Sequence, residues 1–452
     1  MAFHSCSKLT KIEIPSSCAQ IEKQAFDGCV SLKEIILPSS IKIIGQLAFY
    51  GCSSLNEITL PPKIEVIEQC LLHSCLSLTK IVLPSSLKTI NEIAFRGCSS
   101  LKTIIIPSSV EQIGNGAFYG CTSLVEIKIP NNVKCIGSEC FSLCSSLIEI
   151  EIPPSVTSIG AFAFSKCTSL KKVNNMSSVN EIKESTFDFC SSVEIMIIPH
   201  SVEFIQESAF RGCKSLKNLD LPPNTCSYGK KAFCGCSSLT ELTIPYLYNE
   251  IKENLFAGCS SLKKITILNK YNTIKEFAFD NCVSLTQITI PDSVKFIDHS
   301  AFQNCTSLVE IVLPKLITYI TESLFLNCTS LKKIILPENV QEIRSHAFQN
   351  CSSLESITFP SKLNKIGSES FKGCTSLTKV SIPDEVVTIG ELAFQNCTSL
   401  KEIATGSSLK SLSLSSVFKG CSSLEIIEIS YTCSFNQKSF DKSIKIIRTG
   451  EP

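Results

Sequence analysis

The chain has 452 residues, of which 42 are basic and 41 acidic, and its formal net charge is +1. This balance argues against a protein that binds nucleic acid or an anionic membrane through a basic surface. Hydrophobic residues make up 44% of the chain and charged residues 18%, which fits a continuous core under a modest polar coat. No apolar run reaches the roughly 18 residues of a membrane-spanning helix, so none is predicted.

A cysteine recurs every 23 residues from Cys6 to Cys397, and Cys421 follows one residue late. A unit this short cannot bury its own apolar face and must stack on copies of itself. We therefore predict one elongated solenoid of about 19 units over residues 1–429, with the first unit incomplete. After it, the pattern decays, and residues 430–452 are predicted to form a degenerate C-terminal capping segment.

Each unit opens with a pattern that predicts a half-buried β-strand. In the unit that ends at Cys144, Ile127 and Ile129 alternate with the polar residues Glu126 and Lys128. Proline then ends the strand, because it has no N–H to donate to a sheet, and polar turn residues follow. A second apolar pair predicts a short return strand, and the segment around the recurrent phenylalanine is long enough for about one helical turn.

The residue before the recurrent cysteine is glycine in nine units and asparagine in five, as at Gly28 and Asn304. These residues tolerate a positive φ, so a left-handed residue should close each short helix. This explanation also accounts for four of the five Asn-x-Ser/Thr sequons without glycosylation.

With these columns the chain resembles the BspA-like leucine-rich repeat proteins of the 23-residue subtype. The matching pattern is Leu-x-x-Ile-x-Ile-Pro-x-x-Val-x-x-Ile-Gly-x-x-Ala-Phe-x-x-Cys-x-Ser, and it covers nearly the whole chain. The resemblance implies an α/β-type, β-dominated solenoid: a right-handed coil with a parallel sheet on one face and short second strands and one-turn helices on the other. It further implies binding or adhesion, often at the surface of bacteria or parasitic protists, and it brings no catalytic residues.

The recurrent cysteines are predicted to form a buried ladder of free thiols. Stacked turns hold equivalent side chains about 4.8 Å apart in parallel, whereas a disulfide needs converging Cβ atoms about 3.8 Å apart. The other cysteines lack the paired spacing of a zinc site. No metal and no cofactor is therefore predicted.

The sequence favours a protein that is not an enzyme, and no catalytic residue is assigned. Its five histidines lie in different units, and none belongs to a recognisable catalytic triad. No Gly-rich phosphate loop, His-Glu-x-x-His motif or inserted loop interrupts the units.

Side chains between the buried positions of the first strands should form an exposed face, and most of them look like an ordinary solvated surface. Ile195 and Ile197 differ, because both are apolar and both point outward, as at the centre of a protein interface. The alternative is a shift of register in this unit, since the first interpretation turns Met196 inward. Glu149, Glu151 and Lys172 supply a charged rim, and Glu126 is a further candidate binding residue of the exposed face.

Thr243, Thr266 and Thr289 should form a row of hydroxyl groups on three successive strands. Such a row could bind a polysaccharide, although threonine is also a common exposed residue of strands.

The sequence thus predicts binding of a protein partner through the exposed sheet, and the family resemblance implies that the protein is a surface antigen or adhesin. The alternative is an intracellular scaffold or regulatory subunit, which free thiols and the lack of a signal peptide would favour, and a glycan-binding surface is a third possibility. Nucleic acid is not expected as a partner. The first unit shows no polar cap, which suggests a fragment of a longer array or self-association through this end.

Overall fold

The computed structural model describes residues 2–245, 250–268, 270–435 and 444–450. It divides into two compact units, Met1–Cys236 and Ser237–Pro452, called unit 1 and unit 2 below.

Unit 1 is a coil of β-strands in which a longer and a shorter strand alternate. In chain order the strands are β1 (Lys11–Glu13), β2 (Gln20–Ile21), β3 (Glu34–Ile36), β4 (Ile43–Ile44), β5 (Glu57–Thr59), β6 (Val66–Ile67), β7 (Lys80–Val82), β8 (Thr89–Ile90), β9 (Thr103–Ile104), β10 (Gln112–Ile113), β11 (Glu126–Ile127), β12 (Cys135–Ile136), β13 (Glu149–Glu151), β14 (Ser158–Ile159), β15 (Lys172–Asn174), β16 (Glu181–Ile182), β17 (Ile195–Ile197), β18 (Phe204–Ile205), β19 (Asn218–Asp220) and β20 (Ser227–Tyr228).

Unit 2 repeats this alternation and adds one short helix. Its elements are β21 (Glu241–Ile244), β22 (Glu250–Ile251), β23 (Lys264–Ile267), β24 (Thr273–Ile274), β25 (Gln287–Thr289), β26 (Phe296–Ile297), β27 (Glu310–Val312), β28 (Tyr319–Ile320), β29 (Lys333–Ile335), β30 (Glu342–Ile343), β31 (Ser356–Thr358), β32 (Lys365–Ile366), β33 (Lys379–Ser381), β34 (Thr388–Ile389), β35 (Glu402–Ala404), β36 (Ser411–Leu412), α1 (Leu414–Val417), β37 (Ile426–Ser430), β38 (Ser434–Phe435) and β39 (Lys445–Thr449).

Among the described residues, strands pair only in parallel, odd-numbered with odd-numbered and even-numbered with even-numbered. The register follows the sequence repeat: Ile12 lies beside Ile35, which is the equivalent residue of the next 23-residue repeat. A parallel pair needs a crossover between its strands, and here each crossover contains the turn and the short strand. Each unit is thus a β-dominated parallel solenoid, which confirms the predicted fold class.

The core consists of columns of identical side chains. In unit 1 the rings of Phe3 and Phe26 stack with centroids 5.1 Å apart, and the Phe210–Phe233 pair is stacked at 5.7 Å. The buried isoleucine and leucine of each turn fill the space beside these rings. The period of 23 residues therefore has a packing reason, because equal spacing brings the same type of side chain to each column on successive turns.

The predicted left-handed residue before the cysteine is confirmed, with φ of 72° at Gly28 and 58° at Asn304. The same turn contains a second left-handed position, five residues before the cysteine, which the sequence does not reveal. It holds residues as different as Gln24, Leu47 and Cys70, with φ between 57° and 59°. The two positions keep the segment a series of tight turns, and α1 is the one α-helix among the described residues.

At the C-terminal end, β39 pairs in parallel with β37. The Arg448 guanidinium donates hydrogen bonds to the carbonyl groups of Ser430, Tyr431 and Cys433, at 2.9, 3.0 and 2.8 Å. Part of the predicted capping segment lies outside the described residues, and its boundary at residue 430 stays a prediction.

Candidate interaction surface

The exposed side chains of the odd-numbered strands form what we call the outer strand face. In a three-residue strand the middle residue points into the core, and the first and third residues point outward. Because the strands are in register, each outward position forms a column with one residue per turn, spaced about 4.8 Å apart.

The first outward position forms a column in which acidic and basic residues often alternate. Lys11 and Glu34 lie 3.1 Å apart, and Lys379 and Glu402 lie 2.8 Å apart. The hydrogen bond to Glu402 raises the pKa of Lys379. Such solvent-exposed pairs contribute little to stability, so this column is best understood as a hydrated, nearly neutral surface.

Five of the predicted site residues lie together on three successive turns. Glu149 and Glu151 belong to β13, Lys172 to β15, and Ile195 and Ile197 to β17. In the pairing register, Lys172 lies between Glu149 and Ile195. Exposed Glu126, the sixth, is on β11, one turn earlier.

The two isoleucines point outward, and the register of their turn is intact. Met196 is buried and pairs with Leu219, while Ile195 pairs with Asn218. The register shift considered as an alternative therefore does not occur. Their role in binding stays a prediction.

Thr243, Thr266 and Thr289 lie side by side on β21, β23 and β25, as the sequence indicates. Thr243 and Thr289 are exposed, and Thr266 is half-buried. The structure thus forms the row, and whether it binds a ligand remains a prediction.

Three further apolar residues of the outer strand face were not singled out from the sequence. They are Ile105 after β9, Val312 on β27 and Ile335 on β29, and the last two pair directly. The signal was present, because each is an apolar residue at an outward position. How far these three side chains protrude into solvent is shown only by their exposed areas in the structure.

From Cys29 onward the cysteine ladder lies away from this face, inside the coil, whereas Cys6 at the first turn is exposed, contrary to the prediction of a fully buried ladder. Its thiols donate hydrogen bonds to a backbone carbonyl oxygen 26 residues earlier, which in most turns belongs to a phenylalanine. At the one turn without phenylalanine, Cys98 Sγ donates to the carbonyl oxygen of Leu72, at 3.2 Å. Burial raises the pKa of Cys52 and of Cys98 to about 12. A thiol that holds its proton so firmly is a poor nucleophile and a poor metal ligand.

Elsewhere the described residues bring no three His, Cys, Asp or Glu side chains together as a metal site would require. The histidines contact residues of their own or of the neighbouring turn, such as His299 with Asp298 at 3.1 Å and His4 with Asp27 at 3.4 Å. In the part of the chain that the structure describes, no helix has the length and apolarity to cross a membrane.

The stacked strands, the phenylalanine column and the exposed face define a leucine-rich-repeat solenoid. The BspA type leucine rich repeat region matches in six overlapping copies, residues 1–101, 65–194, 180–309, 227–355, 295–425 and 342–449. The chain belongs to this family, whose members commonly bind proteins and act as surface antigens, and which is typically not enzymatic.

Among solved structures, the chain is similar to a leucine-rich repeat protein from Bacteroides ovatus. The identity is 30% and the TM-score 0.58, and the match covers 83% of this chain and 88% of that one. A leucine rich cell surface protein from Faecalibacterium prausnitzii matches at 22% identity and a TM-score of 0.34, over 95% of this chain and 89% of that one. A search of curated proteins found no match.

Proposed function

We propose that this protein binds a protein partner through its outer strand face, as a surface antigen or adhesin of the BspA-like type. One observation carries the proposal. The five most exposed large aliphatic side chains among the described residues all lie at outward positions of the long-strand sheets: Ile105 (87%), Ile197 (78%), Val312 (77%), Ile335 (68%) and Ile195 (60%).

The pairs Ile195–Ile197 and Val312–Ile335 have the composition expected at the centre of an interface. In unit 1 Lys172 pairs with Ile195 and Glu149 lies on the far side of Lys172, so an apolar centre has a polar rim that can stay hydrated. When a partner removes exposed apolar groups of this kind from water, the complex is stabilised by about 25 cal/mol per Å² of buried apolar surface. The mechanism is complementarity over several turns, without a cofactor.

An intracellular scaffold or regulatory subunit is the second candidate. Thiols such as those of buried Cys98 and exposed Cys135 are free in the structure, a state that a reducing compartment maintains. The binding face would be the same in both cases, and the compartment would decide between them.

The binding face is tested by affinity capture from extracts of the source cells, with bound proteins identified by mass spectrometry. The double variant Ile195→Glu/Ile197→Glu should lose a partner that the wild type retains. Ile43→Glu is the matched control, because Ile43 is 57% exposed but lies on the short strand β4, away from the outer strand face. Equal retention by both variants would contradict the proposal.

The compartment is tested by protease treatment of intact cells, followed by an immunoblot for this chain. Loss of the signal while the membrane is unbroken supports a surface antigen or adhesin. Protection until the cells are lysed supports the intracellular scaffold.

A further inference from the structure

The second outward position of unit 2 forms a column without any charged residue over eight successive turns. We call it the uncharged column; it consists of Thr243, Thr266, Thr289, Val312, Ile335, Thr358, Ser381 and Ala404. Six of its members are exposed, and Thr266 and Ala404 are half-buried. Within each hydrogen-bonded sheet they lie side by side in the register.

The fold itself does not require this composition. The equivalent column of unit 1 contains Glu13, Lys128, Glu151 and Asp220. On the same strands of unit 2, the first outward position is mostly charged, as at Glu310 and Lys333. An exposed strand residue is therefore free to carry a charge here, and this column lacks one at every turn.

The uncharged column has mostly charged residues on both sides. One side is the first outward position of the same strands. On the other side are the turns that follow the strands. Near Thr358 and Ser381, the column and these turns line a groove of about 890 Å³, which Lys362 and Asp384 also line. A partner seated on the column would thus place uncharged groups at its centre and polar groups at its two edges.

Val312 and Ile335 are the apolar centre of the column, with threonines on both sides along the stack. A charged group pressed against them would lose its water without gaining a partner, which is costly. The outward positions of the odd-numbered strands from β21 to β35 carry no aromatic side chain on which a sugar ring could stack. These features favour a protein segment over a glycan.

We propose that the uncharged column is the docking site for an uncharged, extended segment of a partner protein, which lies across the strands of unit 2. Eight turns extend about 34 Å, which about ten residues of extended chain can span. This inference rests on the proposed function, and it adds a second contact region and the chemistry of the partner there.

The probe is a displayed library of random 12-residue peptides, selected on the full-length chain. Enriched peptides should be uncharged and rich in β-branched or small residues. Their binding should fall on the order of tenfold on Thr289→Asp and Ile335→Asp. Gln287→Asp and Ser356→Asp are matched controls, because they add the same charge at the first outward position, and they should change binding less than about twofold.

Each variant should unfold at the same temperature as the wild type, because all four positions are on the surface. This is checked before its binding is interpreted. The inference is overturned if no peptide is enriched, if enriched peptides are charged, or if the two sets of variants lose binding equally. It is also overturned if a glycan array, and not the peptide library, yields ligands that Ile335→Asp abolishes.

The same variants separate this inference from the proposed function. If the partner captured from cells is lost by Ile195→Glu/Ile197→Glu and retained by Thr289→Asp and Ile335→Asp, the outer strand face binds but the uncharged column does not contribute. If no variant of the outer strand face affects capture, both proposals fail.

Discussion

At the scale of single residues, the repeat is maintained by side chains whose contacts continue from turn to turn. Phe141, for example, stacks on the rings of both neighbouring turns, and the thiol of Cys121 donates a hydrogen bond to a carbonyl of the preceding turn. A residue in such a column contributes to two interfaces at once, because both neighbouring turns pack against it. Outward residues have no such role, which gives a sharp contrast between positions only a few residues apart.

That contrast predicts very different costs for two alanine substitutions in unit 2. Phe256 is fully buried and stacks on Phe279 at 5.7 Å, so Phe256→Ala should lower the free energy of unfolding by about 3–5 kcal/mol. Glu241 is exposed on β21, and Glu241→Ala should cost less than about 0.5 kcal/mol. Urea unfolding of both variants checks this, and equal shifts would contradict the assignment of inward and outward columns.

The buried thiols make the fold sensitive to alkali. The pKa of an unfolded cysteine is about 8.5, whereas burial raises the pKa of Cys98 to about 12. Between these values the unfolded chain releases a proton that the folded chain keeps. The contribution of this thiol to stability is therefore complete below the unfolded pKa, and it is lost as pH rises toward the folded one.

Urea unfolding at several pH values above about 9 should show wild-type stability falling steeply, because many ladder thiols act together. Cys98→Ala should reduce this slope by about 1.4 kcal/mol per pH unit, the value of one proton. The matched control is Cys135→Ala, which removes an exposed thiol and should keep the wild-type slope. A Cys98→Ala slope equal to that of the wild type would show that the ladder does not cause the alkaline loss.

At the scale of structural elements, the turn before the cysteine shows how a backbone requirement becomes a side-chain ladder. In unit 2, Asn304 donates to Asp280 at 3.2 Å, Asn327 to Asn304 at 2.8 Å, and Asn350 to Asn327 at 2.8 Å. Asparagine therefore has two functions here: it accepts a positive φ, and its amide joins successive turns. The ladder stops at Gly373, which has no side chain.

Replacement of Gly373 by asparagine should extend this ladder. Gly373 has φ of 75°, and a Cβ atom there would meet Asn350 Oδ1 at 2.5 Å, so Gly373→Ala should be destabilising. In Gly373→Asn, the new side-chain amide nitrogen would donate a hydrogen bond to Asn350 Oδ1, as Asn350 itself donates to Asn327. We expect the asparagine variant to be the more stable of the two by about 1 kcal/mol, measured by urea unfolding.

The same two substitutions at Gly235 provide the control. Its neighbour one turn earlier is Gly212, which has no side-chain amide to accept a hydrogen bond. The difference between asparagine and alanine at Gly235 therefore reports only the tolerance of positive φ. If the difference at Gly373 is no larger, the ladder contributes nothing to stability.

At the scale of the whole molecule, most of the fold could be predicted because one period governs every level. Strand alternation, proline stops and the cysteine spacing all agree, and a repeat of fixed length leaves only one way to align the columns. The outward positions of Ile195 and Thr266 could be predicted for the same reason. What could not be predicted depends on contacts between turns rather than on residue type.

The second left-handed position is the clearest example of such a dependence. Glutamine, leucine and cysteine all rarely adopt positive φ, so their types at 24, 47 and 70 give no signal, and neighbouring turns impose the conformation. The protruding areas of Val312 and Ile335 likewise follow from three-dimensional spacing. The identity of a partner is encoded in neither, since it depends on a surface that belongs to another molecule.

Repeat architecture also predicts how damage spreads through unit 1. Each turn contacts mainly its neighbours, so the stability of a solenoid is close to a sum over adjacent turns. Phe118 is buried between Phe95 and Phe141, with centroid distances of 5.2 and 5.5 Å. Phe118→Ala should therefore speed amide hydrogen exchange on the order of a hundredfold in β9 to β13.

Exchange in β17 and β19, four turns and more away, should stay as in the wild type when followed by mass spectrometry. A variant at the surface of the same region, Glu126→Ala, should leave all these peptides unchanged. A uniform increase over the whole of unit 1 would show instead that its turns unfold as a single cooperative block. Because local opening is the cheaper route in a molecule whose contacts are nearly all between adjacent turns, we expect the increase to remain confined to the neighbours of Phe118.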